Sequence, residues 1–278
     1  MSVKQSDPRL VLLVALFLAA CARPQTVGRT AINQATPAAS PTSIPTPQPS
    51  PVPNEEMSFA NGLRLVPKTI TLENERRRYK INVTFPQVEG SKDPAFSTLN
   101  RHIRSLAAKQ YASLLIRPTR DDLRLYEKWP DVYNSVDLDY YVVSATDIFL
   151  SLYVDVYYYG IGAAHSVQQS FTINFDMTTK ALLSLESLFR PGTRPLQFIS
   201  KYCMVELSPD HPSMNDPGFR AEVAPVRKNF ASWNIVPQGI RINFDACKID
   251  GCAAGTTAVV ISFAELKPLL RPQFAGGA

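Results

Sequence analysis

LDYYVVSAT, Leu138 to Thr146, followed after Asp147 by IFLSLYVDVYYY, Ile148 to Tyr159, carries the strongest β pattern of the chain. β-branched and aromatic residues dominate both runs, and only Asp147 separates them, so they read as two neighbouring strands. A strand turns successive side chains to opposite faces. Ile148, Leu150, Leu152, Val154 and Val156 then share one face, and Phe149, Ser151, Tyr153, Asp155, Tyr157 and Tyr159 share the other. The aliphatic face is expected in a core. The second face is either a binding surface, because tyrosine offers rigid area with a hydroxyl, or a surface covered by the chain's own loops or a helix.

Outward from this pair, Gly160 to His165 (GIGAAH) breaks the second strand, SFTINF at Ser170 to Phe175 resumes β structure, and Asp176 to Lys180 is a turn. Upstream, VPKTITLE (Val66 to Glu73) and RYKINVTF (Arg78 to Phe85) read as strands, with Pro86 ending the second. Asp93-Pro94 opens a helix, with aspartate as cap and proline in the first turn. Phe96, Leu99, Ile103, Leu106, Ala107, Tyr111 and Leu114 give it one apolar face. Arg117 to Ser135 is a connection with a helical piece. Downstream, a short helix is expected at Ser184 to Arg190, and helices at Leu196 to Leu207 and Gly218 to Phe230. Gly239 to Asp245 and Thr257 to Phe263 read as late strands, with a closing turn or helix at Ala264 to Leu270. Strands and helices mix without βαβ alternation, which predicts an α+β fold: a mainly antiparallel sheet with packed helices.

The chain has no G-x-S-x-G elbow, no H-E-x-x-H and no P-loop. Its histidines are His102, His165 and His211, far apart in sequence. A catalytic or metal role would have to join His165 to Asp176 or Asp155 in space; the more economical role for His165 is a hydrogen bond to nearby main chain after a glycine-rich break. His102, between two arginines, is expected on the surface. Cys203, Cys247 and Cys252 follow the N-terminal Cys21. The spacing of Cys247 and Cys252 around Asp250-Gly251 allows a local disulfide, a bridge from Cys203 to either is equally allowed, and one thiol is left over. With no second cysteine pair and no nearby histidine, no metal site is expected, and no cofactor either.

The N-terminus decides where such a protein works. Lys4 and Arg9 precede an eleven-residue apolar run, Leu10 to Ala20, and Cys21 follows two alanines. The run is shorter than the roughly 20 residues that span a bilayer. It reads as a lipoprotein signal peptide, 1–20, with Cys21 as the lipidated residue. From Ala22 to Pro53 there are eight prolines and no acidic residue. The segment 21–56 is expected to be an extended spacer, of which Ala22 to Pro53 reaches at most roughly 100 Å at about 3.1 Å per residue. Of the formal charge of +5, the signal contributes +1 and Ala22 to Pro53 +2, leaving +2 for Asn54 to Ala278. No nucleic-acid partner is expected from that balance.

Gly162-Ala163-Ala164-His165, then Asn174-Phe175-Asp176, then Leu183 to Phe189 (LSLESLF) form a series that resembles the extracellular domain family of the anti-sigma factor RsiV, also found as the non-catalytic part of the peptidoglycan deacetylase PdaC. YKINVTFPQVEG before the helix resembles that family's opening. WNIVPQGIRINF, with Val259-Val260-Ile261, resembles its last two strands. Where the family often carries aromatic residues, this chain has Cys247 and Cys252. The resemblance covers about 65 to 270 and divides the domain into an N-terminal part, 57–165, and a C-terminal part, 166–278. Neither the sigma-binding part and membrane span of RsiV nor the deacetylase domain of PdaC is matched. The resemblance therefore implies a non-catalytic ligand-binding or sensing lipoprotein of the cell envelope. Its partners would be a membrane, through the lipid, and a lysozyme-like protein or peptidoglycan. No contact residue carries over from the family; the candidate binding surface is the one read from the strand faces, Tyr153, Tyr157 and Tyr159, with the His165 loop. The other readings are a cell-wall enzyme using His165 and Asp176, and a structural envelope protein.

Overall fold

The computed structural model describes residues 52–208, 216–249 and 251–275. Cys21, the apolar run before it, residues 21–51 of the proline-rich segment, His211 and Asp250 lie outside them. The fold is α+β. A seven-stranded sheet is built from β1 (Met57–Ser58), β2 (Arg64–Asn74), β3 (Tyr79–Glu89), β4 (Asn134–Ala145), β5 (Phe149–Tyr159), β6 (Val167–Asp176) and β7 (Ala181–Leu182), lying side by side in chain order. Every neighbouring pair is antiparallel except β3 with β4, whose parallel pairing joins Tyr79–Val83 to Asn134–Leu138. Between those two strands the chain forms α1 (Pro94–Tyr111) and α2 (Arg120–Lys128). The Asp93 carboxylate accepts from Ala95 N at 2.9 Å and so caps α1, while Thr119 and Asp122 form a capping box on α2.

β3 does not stop at Pro86. It runs on to Glu89, with Pro86 opposite Pro67 of β2. The reason is that β4 pairs with β3 only as far as Val83, so Pro86 occupies a free edge where its missing N–H costs no ladder bond. Two residues further on, Asn100 of α1 satisfies that edge: Val88 N donates to Asn100 Oδ1 and Asn100 Nδ2 donates to Val88 O, both at 2.8 Å.

α1 buries Phe96, Leu99, Ile103, Ala107 and Tyr111 against one face of the sheet, where they meet Leu150, Leu152, Val154 and Val156 of β5 and Ile81 and Val83 of β3. Each such aliphatic side chain contributes about 1.5–3 kcal/mol by leaving water. Ile148, expected with this row, precedes β5 and is exposed. The strand proper begins at Phe149, and the hairpin turn carries Ile148 out of the pleat.

A second sheet has the order β10-β9-β8, from β8 (Trp233–Val236), β9 (Gly239–Phe244) and β10 (Thr257–Ser262). Ile240, Ile242 and Phe244 of β9 join Ile199, Cys203 and Leu207 of α3 (Pro195–Leu207) in a second core, which also takes in Phe149 from β5. The helix expected over Gly218 to Phe230 is two pieces, α4 (Pro217–Glu222) and a 3-10 turn at Arg227–Phe230, because Pro225 cannot continue a helix. The segment after β7 makes a single 3-10 turn, Leu185–Leu188, capped by Ser184. The chain closes on α5 (Phe263–Leu266), held by a Ser262–Glu265 capping box.

A buried polar ladder joins the two sheets. Ser151 Oγ donates to Asn174 Oδ1 at 2.7 Å and accepts from Asn234 Nδ2 at 2.9 Å and from Ile235 N at 3.1 Å. Asn174 Nδ2 donates to Trp233 O at 2.8 Å, and Asn234 Nδ2 also reaches Leu152 O at 3.0 Å. In this way β8 covers the Ser151–Asn174 end of the outer sheet face, while the far end, at Tyr153 to Tyr159, stays uncovered by β8.

Candidate functional site

The uncovered end of the outer face is laid out by strand pairing. Tyr141 lies opposite Tyr153, Asp139 opposite Asp155, and Asp137 opposite Tyr157 on β4 and β5. Gln168 and Ser170 of β6 face Tyr157 and Asp155 in turn. A bulge after Val142 shifts the register at the end of β4 next to Tyr141. From the second sheet, β9 contributes Arg241 and Asn243, with Asp245 just after it; these polar residues alternate with the core residues Ile240, Ile242 and Phe244.

The pieces form two adjoining hollows. One, about 140 Å³, is lined by Tyr141, Val143, Tyr153, Asp155, Arg241 and Thr256. The Tyr141 and Tyr153 rings are tilted against each other at 6.2 Å, and the Arg241 guanidinium carbon lies 5.9 Å from the Tyr153 ring centre. The other, about 130 Å³, includes Ser170, Asn243, Asp245, Lys228 and Lys248 in its lining. Asp245 Oδ1 accepts from Ser170 N at 2.9 Å and Ser170 Oγ at 2.6 Å, which locks β6 to the end of β9. Asn243 Nδ2 is spent on Asn234 Oδ1 at 3.0 Å, and its own Oδ1, though buried, has no hydrogen-bond partner.

Asp155 is the most unusual charge here. It is 5 % exposed. Gln168 Nε2 donates to its two oxygens at 2.9 and 2.7 Å, and Tyr157 OH donates at 3.1 Å. Burial raises its pKa above the ordinary carboxylate value, and these donors only partly offset the rise. Burial also raises Tyr141 and Tyr153, and burial together with the Asp155 charge pushes Tyr157 up to about 12. The hydroxyls are therefore neutral donors at neutral pH. Asp137 is raised as well, by burial and then by Asp139.

Tyr153 and Tyr157 thus share one polar-aromatic face. Tyr159 and His165 lie beyond it at the open end of β5: Tyr159 OH donates to Ala163 O at 3.2 Å, and exposed His165 places Nδ1 3.0 Å from Ser166 O. His165 and Asp176 do not form a site together. They flank opposite ends of β6, roughly 30 Å apart at about 3.3 Å per residue, and Asp176 Oδ1 accepts from Thr178 N and Thr179 N in its own turn. Among the described residues no group of three or more His, Cys, Asp or Glu is placed to hold a metal ion. Cys247 and Cys252 are joined by a disulfide, and Cys203 is a buried free thiol, pushed up to about 12 mainly by burial. Tyr141 and Arg241 are the residues that sequence reasoning passed over. The signal for Arg241 was present, because Arg241, Asn243 and Asp245 alternate with apolar residues in RINFD.

No protein-family model matches the chain. It is 23% identical over 206 residues to the peptidoglycan-N-acetylmuramic acid deacetylase PdaC of Bacillus subtilis strain 168, across 73% of this chain and 42% of PdaC. The chain thus spans less than half the length of that relative. Two crystal structures share its fold. One is a DUF3298 family member from Bacteroides fragilis NCTC 9343, with a TM-score of 0.56 and 15% identity over 77% of this chain and 96% of that one. The other is a DUF3298 family protein from Pseudomonas aeruginosa PAO1, with a TM-score of 0.52 and 15% identity over 75% and 95%. The domain has the DUF3298-type fold.

Proposed function

We propose that this chain is a non-catalytic binding protein of the bacterial cell envelope, anchored by a lipid on Cys21, whose domain takes peptidoglycan glycan on the Tyr141–Tyr153–Tyr157 face. The observation that carries this reading is the hollow at Tyr153. Two phenol rings sit beside a carboxylate, Asp155, and a guanidinium, Arg241, in a space of about 140 Å³. A sugar ring offers C–H faces to aromatic rings and hydroxyls to such paired donors and acceptors. The relation to PdaC, whose name gives it a peptidoglycan substrate, supports the same ligand class. A lysozyme-like protein is the second reading. Asp137, Asp139 and Asp155 place carboxylates on one face, which suits a cationic partner although the folded part carries a slight positive charge.

The test is retention of the full chain on purified insoluble peptidoglycan at low and moderate salt, with lysozyme as a parallel ligand. Tyr157→Ala and Arg241→Ala, each checked for native circular dichroism, are expected to weaken glycan binding by about tenfold or more. Unaltered binding by both variants overturns the site. Saturable lysozyme binding without glycan binding favours the second reading.

A further inference from the structure

A cavity of about 290 Å³, more than twice either hollow of the tyrosine face, lies along the edge of β6 that is not paired with β5. Among the described residues that edge is an open one. β7 pairs only with Phe175 and Asp176. Leu183 N donates to Asn174 O at 2.8 Å and Ser170 N donates to Asp245 Oδ1, so the main-chain groups of these alternate residues point away from β5. Thr172 lies between them on the same period, so its N–H and C=O face outward too, and Thr172 lines the cavity. A free strand edge is a template for an added strand.

The same cavity holds an ion pair. Glu186 and Arg227 both line it. Arg227 Nε lies 2.7 Å from Glu186 Oε1, an oxygen closed to solvent, while the Arg227 side chain as a whole is 77% exposed. An exposed guanidinium favours a ligand that brings a carboxylate, which its remaining N–H donors can grip. Trp233 forms part of the wall, and its main-chain N–H is fixed on Thr172 Oγ1 at 3.1 Å.

We propose that this cavity binds a short extended peptide with a free C-terminal carboxylate, added to the edge of β6. Its main chain pairs with Thr172 and its carboxylate meets Arg227. The cavity borders the Ser170–Asp245 hollow at Ala231, and its ligand class does not depend on the glycan reading.

The chain has two tryptophans. In the full chain carrying Trp129→Phe, Trp233 is therefore the sole indole reporter. Tetra-L-alanine with free termini is expected to change its fluorescence saturably. C-terminal amidation of the peptide, or Arg227→Ala in the protein, is expected to weaken binding by about tenfold or more, with Arg227→Lys in between. N-methylation of the central peptide amide is expected to weaken it several-fold. A peptidoglycan stem peptide is run alongside; its D-residues do not keep the pleat of an L-strand, so it is expected to bind more weakly than the all-L peptide. No saturable change up to about 10 mM, in protein with native circular dichroism, overturns the proposal. So does equal affinity for free and amidated peptide, and so does binding of the stem peptide alone.

Discussion

Replacing Ser151 by alanine tests whether the two sheets are held together by polar contacts or by packing alone. Ser151 is fully buried, and its one oxygen makes bonds to Asn174, Asn234 and Ile235. Asn234 Nδ2 keeps Leu152 O at 3.0 Å after the change. Ile235 N and Asn174 Oδ1 each lose the hydrogen bond they make. Every buried group orphaned in this way costs about 1–3 kcal/mol, which gives about 2–6 kcal/mol for the two. Losing a hydroxyl oxygen leaves little empty volume, so the cavity contribution is small. Partial relaxation of β8 lowers the sum, and we expect about 3 kcal/mol. For a domain of this size that corresponds to a melting temperature about 6–12 °C lower. The assay is urea unfolding of parent and variant followed by far- and near-ultraviolet circular dichroism, with an unchanged slope required for a pure stability effect. Thr98→Ala, which removes an exposed hydroxyl bonded only within α1, is the control and is expected to stay within about 0.5 kcal/mol. A Ser151→Ala loss below about 1 kcal/mol refutes the reasoning, because the ladder would then be dispensable to the join between the sheets.

Two further predictions concern the fold and the tyrosine face. Burial holds Asp155 above its ordinary value of 3.8, so the native state keeps a proton that the unfolded chain has already released. Its contribution to stability therefore falls as pH rises through the interval from 3.8 to the native value, and the full penalty applies above it; the urea midpoint of Asp155→Asn should gain on the parent between pH 3 and pH 7, and a constant gap across that range would show that the carboxylate is not strained by burial. A Cβ at Gly239 would lie 1.9 Å from Ile261 O of the paired strand, so Gly239→Ala should destabilise by about 3 kcal/mol or more, measured in the same way, and a near-neutral result would mean that β9 and β10 do not approach as closely as described.

Much of the fold was legible because local signals agreed with one another. The period-two runs placed β4 and β5 to within a few residues, and Asp93-Pro94 marked the start of α1. The α+β class followed from element order. Pro86 misled because a proline's effect depends on whether its edge is paired, and the short reach of β4 left that edge open. Pro225 was the opposite case, a local rule inside an expected helix that did split it.

The candidate site divides along the same line. Alternation in the sequence put Tyr153, Asp155 and Tyr157 on a common face. It also placed Ser151 and Phe149 on that face, with nothing to say that β8 and the second core would cover them. Strand period determines which side chains look the same way; what lies across from them depends on segments eighty or more residues distant, such as Asn234 and Arg241. The same holds for His165 and Asp176, which sequence allowed as a pair and which the length of β6 keeps apart. Sequence alone therefore determined most of the elements, the cap of α1 and the amphipathic faces, because those are set by neighbours a few residues away. Only the tertiary structure decided which end of the outer face is buried as a seam and which end is open to a ligand, because that follows from where a second sheet satisfies its own main-chain groups.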